Sequence, residues 1–554
     1  MRATGIFGVS VVLLAVGVLV GVAPPPEVGT ALVSADHRLA SEAGAEVLRK
    51  GGNAVDAVVA AALSAGVVQP AGSGLGGGGF AVIVRPDGSR RVLDFRETAP
   101  AGASRDMFRT EDGGVDAMAS RVGGRAVAVP GESRGLAQLL AELGRLPPAD
   151  VAAPAIRQAS EGFRVGAHLA HALESTQHPA IQALFRLTDR VATDGDTVKR
   201  PALAKTLKRW AKSKGEDLYT GPGAASVLAT TEADRGVLTS ADLEGYRPKA
   251  REPIVSTYRG YTLVTMPPPS SGGVVLAQAL KVLEGYDLPS LGHNSADYVH
   301  LVSEVMKHAY ADRAHHLGDP DFVKVPVARL LSDARVDEIR KKVWPGRTFP
   351  PEHYGPLIAP PEDGGTQHIS VIDADGMAVA LTTTINTSFG SGLVAADAGI
   401  VLNNEMDDFA AAPGVPNAYG LVGNDANAIQ PGKRPLSSMT PTVVLDADGK
   451  VVMSIGASGG SFIISSVLQT FLNLTEFGMD PQEAVAAPRF HHQWQPDTLM
   501  IESEMPLDVR RALEARGHEL RVVERFSSVQ VVVRDGAELS GGADPSKGGW
   551  PARK

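Results

Sequence analysis

The chain has 554 residues, 44% of them apolar and 21% charged, enough for a large core built as one big unit or two. A formal net charge of −9, with no basic run of useful length, excludes an electrostatic footprint for nucleic acid. Cysteine is absent, which excludes disulfides, thiolate catalysis, cysteine-ligated metal and a lipidated N-terminal cysteine.

The chain opens with one early charge, Arg2, then an uncharged run from Thr4 to about Ala23 and the break Pro24-Pro25-Pro26. Residues 1–26 therefore read as an export signal. The run is longer than the roughly 7 to 15 residues of a signal core, so an uncleaved N-terminal anchor is the alternative. Export without cysteines suits a periplasmic or secreted bacterial enzyme, held at a membrane only if this segment is retained.

Residues 38–68 have a helical pattern, with Asn53 placed to cap a second helix and Asp56 in its first turn. A glycine cluster at 72–79 leads into a strand from Phe80, a turn at Pro86–Gly88 and a second strand ending near Arg96. The stretch from Glu132 to Leu243 is mostly helical, and a strand is expected near 252–266. Beyond MPPPSSGG, two helices are expected over 273–284 and 295–316. Residues 321–365 are the least regular and end in the proline-rich tract FPPEHYGPLIAPPEDGG.

From Thr366 onward strands dominate. TQHISVID alternates as a half-buried strand does, and Asp373-Ala374-Asp375-Gly376 is the recipe for a three-residue hairpin loop with glycine in the left-handed final position. That loop sets Asp373 opposite Met377 and, counting outward, Thr366 opposite Thr384, with Asn386 two residues further along the same face. A threonine hydroxyl is a poor nucleophile near neutral pH and requires a base. A chain cut before Thr366 creates the simplest one, a free α-amine, and Thr384 is then placed to orient the hydroxyl.

With these elements laid out, the chain resembles a gamma-glutamyltranspeptidase of the N-terminal nucleophile hydrolase superfamily. The likeness rests on ordered, irregular motifs spread nearly end to end. They include ASEAGAEVLRKGGNAVDA, GLGGGGF, DFRETAPAGASRDMF, MPPPSSGG, KHAYADRAHHLGDPDFV, TQHISV, TTTINTSFGSG, NNEMDDF, PGVPNAYGLVGNDANA, RPLSSM, GASGGS and GGADPSKGG. It implies an α+β fold of the four-layer αββα type, with no cofactor and no metal. It also implies self-cleavage between Gly365 and Thr366, giving a large subunit (27–365) and a small subunit (366–554) that remain together as one catalytic unit.

The resemblance assigns roles residue by residue. Thr366 matches the nucleophile, although Gln367 departs from the common second threonine of its motif. Arg96 matches the arginine that binds the α-carboxylate of a γ-glutamyl group, helped by Ser437 and Ser438. Asp408 matches the group that takes the α-ammonium, with Asn386 and Glu405 beside it. Glu405 stands where some relatives have glutamine, and its extra charge, if ionised, is expected to strengthen ammonium binding. Gly459 and Gly460 match the pair whose amides stabilise the oxyanion. Pro413–Arg434, with Tyr419, resembles a lid over the pocket. Glutathione is the expected donor, with water, amino acids or peptides as acceptors. A related acylase acting on glutaryl β-lactams or polyglutamate, and a non-catalytic γ-glutamyl-binding relative, are the alternatives.

Three other motifs point elsewhere and are set aside. GSGLGG at 72–77 fits GxGxxG but follows a helix and precedes a strand, the reverse of a dinucleotide site. GASGG at 456–460 fits GxSxG around Ser458 without a clear triad. The pairs His315-His316 and His491-His492 lack metal-ligand spacing.

Overall fold

The structure is a computed structural model that describes residues 28–110, 115–116, 118–355, 365–410 and 425–554. The N-terminal segment, most of the proline-rich tract and Tyr419 of the expected lid lie outside these residues.

Two seven-stranded antiparallel sheets face each other. One has the order 550–553, 32–35, 366–372, 378–384, 78–84, 90–94, 249–251. The other has the order 28–29, 538–543, 528–535, 451–458, 442–445, 261–265, 254–258. The helices Arg38–Arg49 and Ala54–Val68 pack on the outer face of the first sheet, and Gly272–Leu283 and Phe462–Thr475 on the outer face of the second. The architecture is the expected four-layer αββα sandwich.

The local grammar explains the placement. Asn53 accepts from the amides of Val55 and Asp56 while the Asp56 carboxylate reaches back to the Asn53 amide, a capping box that starts the second helix. That helix is apolar on nearly every side because it is covered all round. Two expectations change. The strand near 252–266 is a hairpin, Ile254–Tyr258 and Tyr261–Thr265, folded at Gly260 with φ +86°. The irregular stretch after 321 contains a helix, Asp333–Lys342, capped by Ser332; its strongly polar composition hides the two positions, Val336 and Ile339, that it buries.

The hairpin register is the expected one. Thr366 pairs with Thr384 and Ile372 with Ala378. The Asp373 amide donates to the Met377 carbonyl at 3.0 Å, and Gly376 adopts φ +93°. The strand is not half-buried, however, since every residue from Thr366 to Ile372 is buried. Ile369 and Val371 pack against the outer helices, while Thr366, His368, Ser370 and Ile372 face the second sheet. Alternation here separates an apolar interior from a polar one. His368 is bonded to the hydroxyls of Thr382 and Ser370, and Ser370 donates to the Gln530 carbonyl, so this polar face is satisfied across the sheets.

The turn is held by one carboxylate. Asp373 accepts from the amides of Asp375, Met377 and, on its other oxygen, Ala54 at the start of the buried helix. Asp373→Ala leaves three amides without their acceptor, so the chain is expected to lose about 2–3 kcal/mol. The urea midpoint of the uncut chain measures this, and a loss below about 0.5 kcal/mol contradicts the turn's role in holding the register.

Candidate active site

At the open end of the Thr366–Ile372 and Ala378–Thr384 pair, Thr366 Oγ1 lies 3.2 Å from Thr384 Oγ1, both residues being 3% exposed. The Thr384 hydroxyl donates to the Gly365 carbonyl at 2.6 Å and accepts from the Asn386 amide at 2.9 Å. A hydroxyl has one proton. With that proton given to Gly365, the bond between the two hydroxyls runs from Thr366 to Thr384. Asn386 does reach the same pocket as Thr366, though not by strand alternation: the strand ends at Thr384, and a left-handed residue (Asn386 φ +76°) turns the chain inward.

Glycines permit this closeness. A Cβ on Gly365 would lie 2.7 Å from the Thr387 carbonyl, and one on Gly77 would lie 1.9 Å from the Thr384 carbonyl oxygen. The glycine run that mimics a dinucleotide loop therefore serves backbone packing beside Thr384. Behind Thr366, Asp36 accepts from the His368 amide, the Ser528 hydroxyl and the Gln530 amide, and Lys547 donates to the Thr366 carbonyl at 3.0 Å and to Ser458 Oγ at 2.9 Å. Asp36 and Lys547 were not singled out from sequence; Lys547 lies within the quoted GGADPSKGG run, but nothing local marks its target. Ser458, the serine of GASGG, is tied between Lys547, the Ser528 carbonyl and the Asp36 carboxylate, with no histidine among its hydrogen-bond partners in the described residues.

All six residues expected to bind substrate line one pocket with Thr366, Thr384 and Gly460, and Met439 and Ile463 supply its apolar wall. Gly459 borders the adjoining groove. Gly459 and Gly460 have φ of +132° and +55° and immediately precede the helix Phe462–Thr475. Neither amide finds an acceptor among the described residues, so both are available to a developing oxyanion.

Arg96 is the electrostatic centre. Its two terminal nitrogens ion-pair with Glu405 and Asp408, and Glu97 lies 3.9 Å away. The arginine and the acids expected to divide the two ends of a substrate are thus bound to each other. Burial pushes the Glu97 carboxyl up to about 7 against the pull of Arg96. Burial likewise holds Glu405 well above, and Asp408 above, the usual carboxylate range. Burial thus opposes ionisation of all three acids around one guanidinium, so the environment works against the extra charge that Glu405 offers in sequence.

Ser437 and Ser438 are preset as donors. Ser437 Oγ accepts from the Met439 amide at 3.1 Å and Ser438 Oγ from Arg313 at 3.3 Å, which leaves each hydroxyl proton for another acceptor. Arg313, buried on the helix Ala296–His316, was missed from sequence because its position within KHAYADRAHH suggests only a helix face.

Residues 40–553 match the sequence profile of the gamma-glutamyltranspeptidase family. The chain belongs to that family. It is 42% identical over 522 residues to the glutathione hydrolase proenzyme of Escherichia coli strain K12, covering 93% of this chain and 90% of the relative. With the glutathione hydrolase proenzyme of Bacillus subtilis strain 168 it shares 38% identity over 546 residues, covering 94% and 90%. Among solved structures, a cephalosporin acylase from Bacillus halodurans superposes with a TM-score of 0.85 at 29% identity, covering 98% of this chain and 99% of that one. The gamma-glutamyltranspeptidase of Helicobacter pylori gives a TM-score of 0.55 at 37% identity over 57% of this chain and 92% of that one.

Side chains of both histidine pairs find partners within the protein. His491 bonds Ser465 and Gln493, His492 contacts Asp497, and His316 accepts from Arg329. One donor cluster elsewhere, His300, Glu304 and His518, has ligand atoms within 4.8 Å of one another. There Thr348 and Tyr354 already donate to Glu304, and the Lys307 ammonium lies 3.4 Å from it, a poor setting for a cation.

Glu132, behind the site, accepts from Thr383, and burial pushes its carboxyl up to about 8. Because this folded value lies above the unfolded one, the group's stability contribution is full below about pH 4.5 and is lost as pH rises toward 8. Glu132→Gln mimics the protonated form. Its melting temperature is expected to match the parent at pH 5 and to exceed it at pH 8; parallel curves contradict the shift.

Proposed function

We propose that the chain is the precursor of a γ-glutamyl transferase and glutathione hydrolase that cuts itself between Gly365 and Thr366. The observation carrying this reading is the Thr384 hydroxyl bonded to the Gly365 carbonyl with Thr366 Oγ1 3.2 Å from Thr384. Thr384 polarises the carbonyl that Thr366 attacks. The Gly365 acyl group moves from nitrogen to oxygen, water cleaves the ester, and Thr366 gains a free amine. Residues 27–365 and 366–554 then remain together through the two sheets, each of which contains strands from both.

After cleavage, Thr384 loses Gly365 as its acceptor and its proton becomes available to orient Thr366 Oγ. The Thr366 amine takes the hydroxyl proton as Oγ attacks the γ-carbonyl of the donor. The amides of Gly459 and Gly460 receive the oxyanion, the amine leaving group takes the proton, and a γ-glutamyl-Thr366 ester remains. Water or an acceptor amine, activated by the same Thr366 amine, releases the acyl group. The donor's α-carboxylate is read by Arg96, Ser437 and Ser438, and its α-ammonium by Asp408, Glu405 and Asn386. The groove beyond Gly459, lined by His168, Phe462, Arg521 and Lys547, gives the leaving group and acceptor their path. Glutathione suits this site as donor, and amino acids or short peptides as acceptors. Among the described residues no helix is long and apolar enough to cross a membrane. The N-terminal segment supports export to the periplasm or medium.

The overall likeness to a cephalosporin acylase favours one second reading, deacylation of glutaryl amides. A glutaryl group lacks the α-ammonium and leaves Asp408 and Glu405 without a cationic partner from the substrate, which favours γ-glutamyl donors. Steady-state rates on γ-glutamyl and glutaryl anilides separate the two, and a preference for glutaryl sinks the first.

Thr366→Ala is expected to run as one full-length band and to leave a γ-glutamyl anilide intact. A fully cleaved Thr366→Ala chain contradicts the assignment. Asp408→Ala is expected to mature normally but to lose at least about 100-fold in kcat/KM on the same anilide, about 2.7 kcal/mol, chiefly through KM.

A further inference from the structure

Buried guanidinium groups in this fold have identifiable compensation. Arg489 pairs with Asp544 and Glu502, and Arg434 with Asp94. Arg200 has no acid but donates to the carbonyls of Gly66 and Val67 at the end of the helix Ala54–Val68, and to that of Gly399, where the helix dipole favours a cation. Arg313 has neither arrangement. It is 2% exposed, no carboxylate lies within ion-pair distance among the described residues, and its side chain donates to two neutral hydroxyls. Its Nε donates to Ser271 Oγ at 2.8 Å and one terminal nitrogen to Ser438 Oγ at 3.3 Å. The Asp408 carboxylate acts on this guanidinium from a distance without pairing with it, so a buried cation remains with no anion in contact, and a ligand carboxylate can supply one.

The geometry around it indicates where that anion sits. Ser271 passes its own proton to the Ser437 carbonyl at 2.7 Å, so Arg313 braces both serines of the pair at once, one through the backbone and one through the hydroxyl. Ser437 and Ser438 line the pocket containing Thr366, and Arg313 stands directly behind them. In front, Arg96 is claimed by Glu405 and Asp408. A donor that presents a carboxylate to Arg96 and the serines therefore meets a guanidinium whose charge is largely spent on two acids. The second cation behind the serines restores the positive potential the carboxylate needs.

We propose that Arg313 is a positioning residue that acts through Ser438 and Ser271 to select donors carrying an α-carboxylate. This inference rests on the γ-glutamyl reading of the pocket. It touches no reacting atom. Arg313 fixes the hydrogen-bond direction of Ser438, so that the hydroxyl proton points into the pocket, and it balances the excess of acid around Arg96.

The test compares three anilide donors on the mature enzyme: γ-glutamyl, glutaryl, which keeps the carboxylate and lacks the ammonium, and 4-aminobutyryl, which keeps the ammonium and lacks the carboxylate. Arg313→Met is expected to raise KM about 10- to 100-fold for the first two donors, with kcat within about threefold, and to leave the third within about twofold. Arg313→Lys keeps the charge without the fork and is expected to fall between. Ser438→Ala is expected to be non-additive with Arg313→Lys on the γ-glutamyl donor, because both remove one hydrogen bond.

Equal losses on all three donors, or additive losses with Ser438→Ala, overturn the inference. So does an uncut precursor from both arginine variants, since a residue confined to donor reading leaves maturation intact. A native enzyme that fails to prefer the γ-glutamyl over the 4-aminobutyryl donor sinks the carboxylate reading of the pocket itself. A native enzyme that discriminates while its Arg313 variants discriminate equally sinks only the role of Arg313.

Discussion

The pairing of Thr366 with Thr384, in the middle of a seven-stranded sheet and at its open end, is the constraint from which the site's geometry follows. A register of one residue either way turns Thr366 toward the outer helices and removes it from the pocket between the sheets. The Asp373 turn, the close approach of Gly77 and the hydrogen bond from the Thr384 hydroxyl all fix this single alignment. One hydroxyl proton, on Thr384, links the two stages of the proposed chemistry, because the group it serves changes when the peptide before Thr366 is cut.

Around that pair the protein concentrates charge where solvent is scarce. Arg96 is shared by Glu405 and Asp408 with Glu97 alongside, and Arg313 lies behind the serines. Each of these groups, buried alone, costs several kcal/mol, so their mutual arrangement is what makes the pocket tenable. On the proposed reading the same crowding bears on selectivity. In the proposed reaction a zwitterionic donor head offers one charge of each sign to an arginine and acids that otherwise pair with one another, whereas a donor with only one charge leaves either the arginine or the acids without an external partner.

Much of the local structure was legible in the residues. The capping box at Asn53 and Asp56, the hairpin loop at Asp373 and the two helices before and after 290 each depend on interactions within a few positions, and such interactions leave a spacing. The helix Asp333–Lys342 was not legible because it buries only two side chains and so has almost no apolar stripe. The polar face of TQHISVID was misread as facing water for a related reason: periodicity reveals that two faces differ but not what covers each. Here both faces are covered, one by helices and one by the second sheet.

By itself the sequence determined the family, the four-layer class, the hairpin register and the set of polar residues that share the pocket, because motif order and short-range turn geometry are properties of the chain alone. The tertiary structure decided which of those groups touch. It joined Arg96 to Glu405 and Asp408 across more than three hundred residues, brought Lys547 to the Thr366 carbonyl and Arg313 to Ser438, and turned Asn386 inward on a left-handed residue. Contacts of such separation are set by how the two sheets stack and which ends meet, and no local spacing encodes that geometry.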